Sequence, residues 1–397
     1  FYHEIIIPSD ADLLLDGVDL NIGDYVGVFF VDDEGALSCG GYIIWEGESI
    51  SILAYGNAGM GIDGFYYQEQ FQWKVYNGET HSGFAIYNDS YDQDRFFING
   101  STSGIHGAIF SSSQTIPLNE NPFSDWDMIS TYMDSDEDVE TIMSPIINNF
   151  IIIKDASGLA YWPAIPVTTL DFLNTEEAYA IKTWAPGEVT ISGDFMQPEF
   201  SSNSWQSGWN YISYPRYWSN SVETALSSVV SNIKLLKDDS GNIVWPELDI
   251  STIDNMEAGE GYLLKLYDTQ EFSYDSNSDL YPEDWASGNN NSEVAQRYGV
   301  DLEYYEAISK TSSNMTIGFP KSALSVQDGD ELAVFDELGN LVGVSKLIAD
   351  NNYVVVWGND EDLVEKSGLL VGEKMFFQLW RKSSNEIFTI TPSWKEG

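Results

Sequence analysis

Residues 126–182 read WDMISTYMDSDEDVETIMSPIINNFIIIKDASGLAYWPAIPVTTLDFLNTEEAYAIK, and residues 209–265 read WNYISYPRYWSNSVETALSSVVSNIKLLKDDSGNIVWPELDISTIDNMEAGEGYLLK. The two stretches align without a gap, and about a third of their positions carry the same residue. Identical positions include Trp126/Trp209, Val139/Val222, Lys154/Lys237, Asp155/Asp238, Gly158/Gly241, Trp162/Trp245, Tyr179/Tyr262 and Lys182/Lys265. Self-similarity at a fixed period indicates tandem structural units. The repeat therefore predicts a modular protein with one duplicated unit at its centre.

The composition excludes several classes of protein. The chain of 397 residues is 43% apolar and contains 13 Trp, 23 Tyr and 20 Phe, which excludes bulk disorder. It carries 63 acidic and 17 basic side chains, for a net charge of −46. Nucleic acids and anionic membrane surfaces bind clustered Lys and Arg, so neither is an expected partner. No apolar run is long enough to span a bilayer, so no membrane insertion is expected.

Cysteine usage and the first residue bear on location. Cys39 is the single cysteine, so no intrachain disulfide can form, and its place beside Gly40-Gly41 predicts a buried structural thiol. The chain begins with Phe1, which we interpret as a mature form after removal of a leader. A strongly acidic surface suits salty or divalent-rich water. We therefore expect an extracellular or cell-surface protein.

The two ends of the chain are predicted to be related β-sandwich domains, residues 1–115 and 281–397. Phe71, Trp73 and Val75 alternate with polar residues, as in a strand with one buried face. Strands in the first domain are expected at Glu4–Ile7, Tyr25–Val31, Tyr42–Trp45, Ile50–Tyr55, Phe71–Tyr76 and Phe84–Tyr87. In the second domain, Gly329-Asp330 repeats Gly23-Asp24. This match needs gaps, but it predicts the order sandwich, module, module, sandwich.

Residues 116–200 and 201–280 are predicted to be two copies of an α+β module with the order strand, helix, strand, strand. Val222, Leu226, Val229 and Val230 have the spacing of one helix face. Asp-x-Ser-Gly sequences at 155–158 and 238–241 predict hairpin turns. The expected fold class is therefore mainly β, with α+β modules between terminal sandwich-like domains.

No set of catalytic residues is evident. His3, His81 and His106 do not accompany a recognisable nucleophile, and no nucleophile-elbow, zincin, Walker or Rossmann sequence occurs. A carboxylate pair of the kind used by hydrolases stays open as an alternative, because the sequence cannot single one out. We expect no enzyme, no catalytic residue and no bound cofactor.

Calcium is the one ligand that the sequence leaves open. Asp134, Asp136 and Asp138 alternate as in an oxygen-ligand loop, and Asn88–Asp94 is similar. The pattern lacks the Gly and the trailing Glu of an EF-hand, and the second copy has Tyr217–Ser221 at the matching place. We therefore prefer helix capping as the role of this acidic stretch, as Ser219–Ser221 would do in the second copy.

Aromatic residues suggest a glycan as a second kind of partner. Trp162 and Trp245 follow the predicted hairpin in both modules, where they could stack on sugar rings. The alternative is that they pack inside each module, which their repetition at equivalent positions favours.

The strand-like termini suggest self-association. Ile5, Ile6 and Ile7 near the start and Phe388 and Ile390 near the end could be lent to the sheet edge of a neighbouring molecule. The alternative is that each terminal strand completes its own sandwich.

Three sequence stretches carry a resemblance to a known group of proteins. Trp209–Ser213, Lys237–Pro246 and Glu257–Lys265 resemble modules of large secreted cell-surface proteins of Bacteroidota, and Gly23–Phe29 with Cys39-Gly40-Gly41 is similar to a companion β-module. The first copy departs from the pattern at Asp127 and Asn174–Ala178. The resemblance implies export, by the type IX route, and a role at the cell surface.

These observations predict a non-enzymatic structural subunit of an extracellular assembly: a filament, a sheath or an adhesin stalk. The subunits would associate with one another through their terminal β-domains. The alternative function is a surface glycan-binding protein that uses exposed aromatic residues.

Overall fold

The computed structural model is mainly β, with 48% strand and 6% helix arranged in several sheets. It describes residues 1–394 except 60–62, 92–94, 119–124, 165–166, 280–301, 307, 309–310, 312, 320–323, 348–352 and 360–365. Part of the acidic stretch 88–94 and the start of the predicted domain 281–397 lie outside the described residues.

The N-terminal unit, residues 2–110, contains a nine-stranded sheet. Its strands are β1 Tyr2–Ile7, β2 Asp12–Leu15, β3 Val18–Asp19, β4 Tyr25–Val31, β5 Leu37–Ile44, β6 Ile50–Tyr55, β7 Gln72–Tyr76, β8 Thr80–Tyr87 and β9 Thr102–Phe110. The order is β3-β2-β9-β8-β7-β4-β5, and β1 lies between β6 and β9. The apolar alternation of the sequence locates most of these strands, but not β2, β3 or β9.

The first repeat, residues 113–195, and the second repeat, residues 203–272, follow. The first contains β10 Ser113–Leu118, β11 Asp125–Ile129, β12 Met133–Asp134, α1 Val139–Met143, β13 Phe150–Lys154, β14 Ala160–Trp162, β15 Val167–Thr168, β16 Tyr179–Thr183, β17 Gly187–Ser192 and β18 Asp194–Phe195. The second contains β19 Asn203–Trp205, β20 Gly208–Ser213, β21 Asn220–Ser221, α2 Val222–Ala225, β22 Ile233–Lys237, β23 Ile243–Trp245, β24 Ile250–Ser251, β25 Asn255–Met256, β26 Gly261–Leu266 and β27 Gln270–Phe272.

Both repeats contain the same five-stranded sheet. Its order is β11-β16-β13-β14-β15 in the first repeat and β20-β26-β22-β23-β24 in the second. A register shift falls at the same place in both, between Phe150 and Ile152 and between Ile233 and Leu235. The similarity of the two sequences is therefore matched by the same strand order.

The helices are much shorter than the sequence pattern predicts. The helix expected through Val230 ends at Ala225, with Leu226 as its C-cap, and is followed by a separate 3₁₀ turn, Val230–Asn232. Three more 3₁₀ turns occur at Ser144–Ile146, Pro198–Phe200 and Pro246–Leu248. The apolar spacing reflects burial of successive turns on one core, because Val222, Leu226 and Val229 are all buried without forming one continuous helix. The prediction of a longer helix was wrong.

The predicted capping residues begin both helices. The Asp138 side chain accepts a hydrogen bond from the Thr141 N–H, and Ser221 accepts one from the Thr224 N–H. The Thr141 contacts hold the pKa of Asp138 below its usual range. Helix capping is therefore confirmed as a role of Asp138.

One kind of hairpin turn recurs along the chain. Asp32, Asp155, Asp238 and Asp336 each accept, on one carboxylate oxygen, the backbone N–H four residues further on. The glycine three residues after each Asp has a φ between 83° and 92°. Only glycine adopts such a φ without strain, which explains the Asp-x-x-Gly sequence in each hairpin.

The C-terminal unit, residues 314–390, is a six-stranded sheet. Its strands are β28 Asn314–Gly318, β29 Glu331–Phe335, β30 Leu341–Lys346, β31 Tyr353–Trp357, β32 Phe376–Arg381 and β33 Glu386–Ile390. The order is β28-β31-β30-β29-β32-β33, so β28 and β33 are the two edges.

The units are in contact along the chain. Phe84 of the N-terminal unit, Tyr132 of the first repeat and Trp218 of the second share one buried cluster. The second repeat packs on the C-terminal unit, where Trp245 and Tyr353 lie in one cluster. The four units are therefore docked on one another.

Candidate assembly site in the C-terminal unit

Equivalent backbone turns relate the two end units. The Gly23 N–H donates to the Trp45 carbonyl, and the Trp45 N–H donates to the Asp24 carbonyl. In the C-terminal unit, the Gly329 N–H donates to the Leu347 carbonyl, and the Leu347 N–H donates to the Asp330 carbonyl. Gly23 and Gly329 both have positive φ, at 106° and 88°. These hydrogen bonds match the sequence likeness between Gly23-Asp24 and Gly329-Asp330 in three dimensions.

A second set of contacts fixes the correspondence between strands. Gly56 forms a parallel bridge with Phe65, directly after β6, and Gly358 forms one with Leu369, directly after β31. Glu69 accepts the Tyr66 N–H on one carboxylate oxygen, as Glu373 accepts the Leu370 N–H. From these anchors, β28, β31, β30, β29, β32 and β33 correspond to β1, β6, β5, β4, β7 and β8.

Three strands of the N-terminal unit, β2, β3 and β9, have no counterpart among the described residues of the C-terminal unit, and β9 is the one that lies between β1 and β8. In the N-terminal unit, β9 runs antiparallel to β8 and parallel to β1, and so connects the two. On the far side β5 packs against β6, where a Cβ on Gly41 would lie 2.2 Å from the Leu53 carbonyl oxygen. The strands of the N-terminal unit therefore surround its core as a closed ring, in the order β1, β6, β5, β4, β7, β8 and β9. In the described part of the C-terminal unit, nothing pairs with the outer edges of β28 and β33.

We call the position between β28 and β33 that corresponds to β9 the open place. Side chains beside it are exposed, whereas their counterparts in the N-terminal unit are buried. Met315 pairs with Val356 as His3 pairs with Ala54, yet Met315 is 44% exposed and His3 is 0% exposed. The His3 ring bonds the Ser103 hydroxyl of β9 at 2.8 Å. Met315 lacks cover because no described strand lies in the corresponding place.

The end of β33 shows the same difference. Trp394 follows Ile390 by as many residues as Tyr87 follows Gly83, and their rings face Phe377 and Trp73 respectively. Trp394 is 58% exposed, whereas Tyr87 is 6% exposed beneath β9. The chain after β33 leaves regular strand geometry, while β8 continues to Tyr87 along β9.

The predicted self-association residues fall into two different settings. Phe388 and Ile390 lie on the edge strand β33, opposite the buried residues Leu379 and Phe377 of β32. They therefore face the core side, yet Phe388 is 42% exposed. Ile390 packs against the core of the C-terminal unit, and the Arg381 guanidinium lies 5.5 Å from the centre of the Phe388 ring.

The N-terminal residues are placed differently. Ile5 and Ile7 are fully buried, and Ile6 is half-buried, in a strand paired on both sides. Burial lowers the pKa of the neighbouring His3 imidazole. This arrangement is the alternative in which the terminal strand completes its own unit.

The two predicted glycan-stacking residues are partly covered by protein. Trp162 packs against a buried cluster of its own repeat that includes Trp126 and Ile152, and Tyr211 of the other repeat packs against the same cluster. The Trp245 ring lies against the C-terminal unit, so a Cβ added to Gly318 would be 2.9 Å from it. The structure places neither ring on an open aromatic surface.

An exposed aromatic row, which sequence reasoning missed, lies on the N-terminal unit. Tyr42, Tyr25 and Tyr76 stand side by side on β5, β4 and β7, with ring centroids 5.9 and 6.1 Å apart. Their alternation with buried residues was visible, but their alignment depends on strand register, which one sequence does not give.

Residues considered for catalysis or metal binding have other settings. Cys39 is exposed on β5, so the prediction of a buried thiol was wrong; the bulge beside Phe29 turns this position outwards. Among the described residues, no group of three or more His, Cys, Asp or Glu is arranged to hold a metal ion.

A small cleft lies where the two repeats meet the C-terminal unit. Trp126, Asp239 and Trp357 are among its lining residues, and the Met128 N–H donates to the Asp239 carboxylate at 2.9 Å. At its edge Lys237 bonds the Asn314 side chain, and burial lowers the pKa of Lys237 to about 8. These groups join the units to one another.

No protein-family profile, curated protein or solved structure matches this chain. Among the residues that the structure describes, no helix is long and apolar enough to cross a bilayer.

Proposed function

We propose that this protein is a non-enzymatic structural subunit of an extracellular assembly, such as a filament, sheath or adhesin stalk. Its end units are β-sandwich domains, and subunits associate through them. The observation that carries the proposal is the edge strand β33, which pairs only with β32 among the described residues and on which the core-facing Phe388 is 42% exposed. An edge of this kind is a template for pairing with another chain.

The contact between the two repeats does not propagate in this way. This contact brings equivalent positions of the two repeats together. Gly261 lies beside Ala178, its sequence counterpart, and a Cβ on Gly261 would be 2.7 Å from the Ala178 Cβ. Asp239 of the second repeat accepts the Met128 N–H of the first, and burial, followed by the charge of Asp155, raises the pKa of Tyr211, the sequence counterpart of Met128. A self-complementary contact closes on itself, so growth of an assembly must use other surfaces. The terminal units provide them.

The net charge of −46 sets the conditions for association. Two copies repel one another at long range, and salt or divalent cations reduce that repulsion because they screen it. An extracellular medium provides such screening. Calcium would act here as a diffuse counter-ion at the acidic surface, with no dedicated binding site required.

Negative-stain microscopy and light scattering of the purified chain test this function. We expect filaments or sheets at high salt or with added Ca²⁺, and dispersed particles at low salt. Phe388→Asp should abolish them, because it places a charge on the exposed core-facing edge. The matched control is Leu338→Asp, at a residue that is 78% exposed in a hairpin turn of the same unit. Dispersed monomers under every condition would refute the proposal.

A second candidate function is glycan binding, favoured by the row of Tyr25, Tyr42 and Tyr76. Adjacent exposed rings can stack on successive sugar residues of a polysaccharide. A glycan array followed by Tyr42→Ala tests it, with Tyr67→Ala, an exposed tyrosine outside the row, as the control. An affinity loss of about tenfold for Tyr42→Ala alone supports this function. Equal binding by both variants excludes the row.

The resemblance to secreted Bacteroidota modules suggests the setting of the assembly. We propose export through the type IX route and a place at the cell surface, where a subunit of docked β-units would bear load or give reach. Detection of the native protein in the surface fraction of its source cells, and its loss when that route is blocked, tests this setting.

A further inference from the structure

We propose that Lys237 and Asn314 form an intramolecular isopeptide bond, an amide cross-link between the second repeat and the C-terminal unit. The bond joins the end of β22 to the start of β28. It forms once in each chain, from two side chains of that chain, so it involves no turnover of a substrate. This inference goes beyond the proposed function and does not depend on assembly.

Lys237 and Asn314 are in direct contact across the boundary between the two units. The Lys237 Nζ donates a hydrogen bond to the Asn314 Oδ1, although the two residues are 77 positions apart in the chain. The Cγ carbon of Asn314 is bonded directly to this oxygen, so Nζ lies within the distance of about 3.5 Å at which a nucleophile is positioned to attack. The fold therefore holds the two reacting groups together before any reaction.

The setting of Lys237 makes its amine a nucleophile. The residue is 2% exposed, and among the described residues no carboxylate forms an ion pair with it. Burial outweighs the charge of the adjacent Asp238 and lowers the pKa of Lys237 to about 8. Lys265 is a second nearby cation, because both Nζ atoms lie over the Trp209 ring, at 5.8 and 5.4 Å. About a tenth of the Lys237 amine is therefore neutral at pH 7, and the neutral form attacks carbonyl carbons.

The reaction balances without an oxidant or another reagent. The neutral amine attacks the Asn314 Cγ, the Nζ–Cγ bond forms and the Cγ–Nδ2 bond breaks. One amine proton moves to the departing nitrogen, which leaves as ammonia, and a secondary amide remains. Asp127 and Asp239 line the cleft beside Asn314 and are at least nine-tenths buried, so carboxylates are at hand to carry this proton.

The first repeat provides an internal comparison. Lys154 is the sequence counterpart of Lys237, and its Nζ lies 4.5 Å from the centre of the Trp126 ring. Lys154 is only half-buried, and among the described residues it donates no hydrogen bond to an amide side chain. The pairing of this lysine with a tryptophan ring therefore belongs to the fold of both repeats. The contact with an asparagine side chain belongs to the second repeat alone.

Mass spectrometry of the full chain tests the inference. We expect an intact mass that is lower by one ammonia than the sequence requires, and a tryptic product in which residues 235–265 are joined to residues 311–321. Asn314→Ala and Lys237→Arg should each restore the full mass and remove the joined product. Lys154→Arg, the matched control, should retain both features. Near-ultraviolet circular dichroism checks that the variants are folded.

The rate of bond formation gives a second readout, which a contact without a reaction would not show. Chain recovered as inclusion bodies, dissolved in urea and refolded, should form the joined product about tenfold faster at pH 7 than at pH 6. The rate should level off above pH 8, because the neutral fraction follows the pKa of Lys237.

Three results would overturn the cross-link. The first is a folded chain of full mass at every pH. The second is a joined product that persists in Asn314→Ala. The third is a loss of ammonia without the joined product, as ring closure at an Asn-Gly sequence such as Asn77-Gly78 would cause. Filament formation bears on none of them, so the proposed function and this inference fail separately.

Discussion

The two end units share turns, strand correspondence and a buried core, but they differ in how completely that core is covered. In the N-terminal unit, β9 lies between β8 and β1, and both neighbouring strands are buried beneath it. In the C-terminal unit the equivalent strands are edges, and Met315, Phe388 and Trp394 are exposed. Six strands are thus common to the two units in the part of the chain that the structure describes, and burial of the first and last of them in the N-terminal unit depends on β9.

The outer faces of the two end units also differ, but here the C-terminal unit is the covered one. The tyrosine row of the N-terminal unit is open, whereas residues 303–305 cover the same face of the C-terminal unit. Glu331, fully buried at the position of Tyr25, accepts the backbone N–H groups of Glu303, Tyr304 and Tyr305. Tyr304 stacks on Trp380 at 5.2 Å. Each unit therefore leaves one surface uncovered, and the surfaces are not the same.

Equivalent core substitutions should give the largest difference between the units. Ile5→Ala should destabilise the N-terminal unit by about 2–5 kcal/mol, because it removes a fully buried side chain. Ile317→Ala, at the equivalent position, should cost about 1–2 kcal/mol because Ile317 is only half-buried. Hydrogen exchange of the backbone amides of β1 and β28, recorded during urea unfolding, measures the stability of each unit separately. Equal losses would contradict the open place beside β28.

Substitutions on the outer face, which is covered only in the C-terminal unit, should give a smaller difference in stability between the two units. Glu331→Ala should cost the C-terminal unit about 1.5–3 kcal/mol, because it removes the carboxylate that three backbone N–H groups share. Hydrogen exchange at residues 303–305 should rise with it. Tyr25→Ala, the matched change in the N-terminal unit, should stay within about 0.5 kcal/mol. If exchange at residues 303–305 is unchanged, Glu331 does not hold that segment.

Substitutions in the Asp-x-x-Gly hairpin turns should give the smallest difference in stability between the two end units, and this difference depends on pH. Burial acts to raise the pKa of Asp336, but bonds from Lys366, Asn340 and two backbone N–H groups outweigh it and hold the pKa well below its usual range. This stabilisation is complete well above the ordinary pKa of 3.8, and it is lost progressively as pH falls from there through the lower pKa of the folded state. Asp336→Asn should therefore cost about 1–2 kcal/mol at pH 6.

Asp32 provides the comparison for the pH effect. Its pKa is also lowered, by the Ala36 N–H and the Ser38 hydroxyl, but its carboxylate is more accessible and no lysine binds it among the described contacts. Asp32→Asn should therefore lower the urea midpoint at pH 6 by less than Asp336→Asn does. Urea midpoints at pH 6 and at pH 3 check both variants, and each variant should approach the parent chain at the lower pH. A larger effect at pH 3 would contradict the assigned bonds.

The sequence predicted the strands that follow a simple alternation. Ile50–Tyr55 and Tyr25–Val31 have the predicted bounds, and both helix caps are in place. The duplicated stretch also contains the same strand order twice, because repeated turn and core residues act locally. These features depend on neighbours in the chain, which a sequence displays directly.

The sequence did not predict β9, on which the candidate site depends. Residues 102–110 contain two glycines and a histidine, so their alternation is weak, and pairing with β1 and β8 gives the strand its place. The exposure of Phe388 likewise follows from an uncovered edge rather than from its own residue type. Features of this kind are set by contacts between distant segments, which no local pattern encodes.

The four Asp-x-x-Gly hairpins have a consequence for how the chain acquires its structure. Each one brings two strands together over a few residues, and closing such a short loop takes only microseconds. One hairpin lies in every unit, so every unit holds its own starting point for folding. A chain that emerges slowly from the ribosome, or on the far side of a membrane, can therefore build its units one after another, and a late unit need not wait for contacts with an early one.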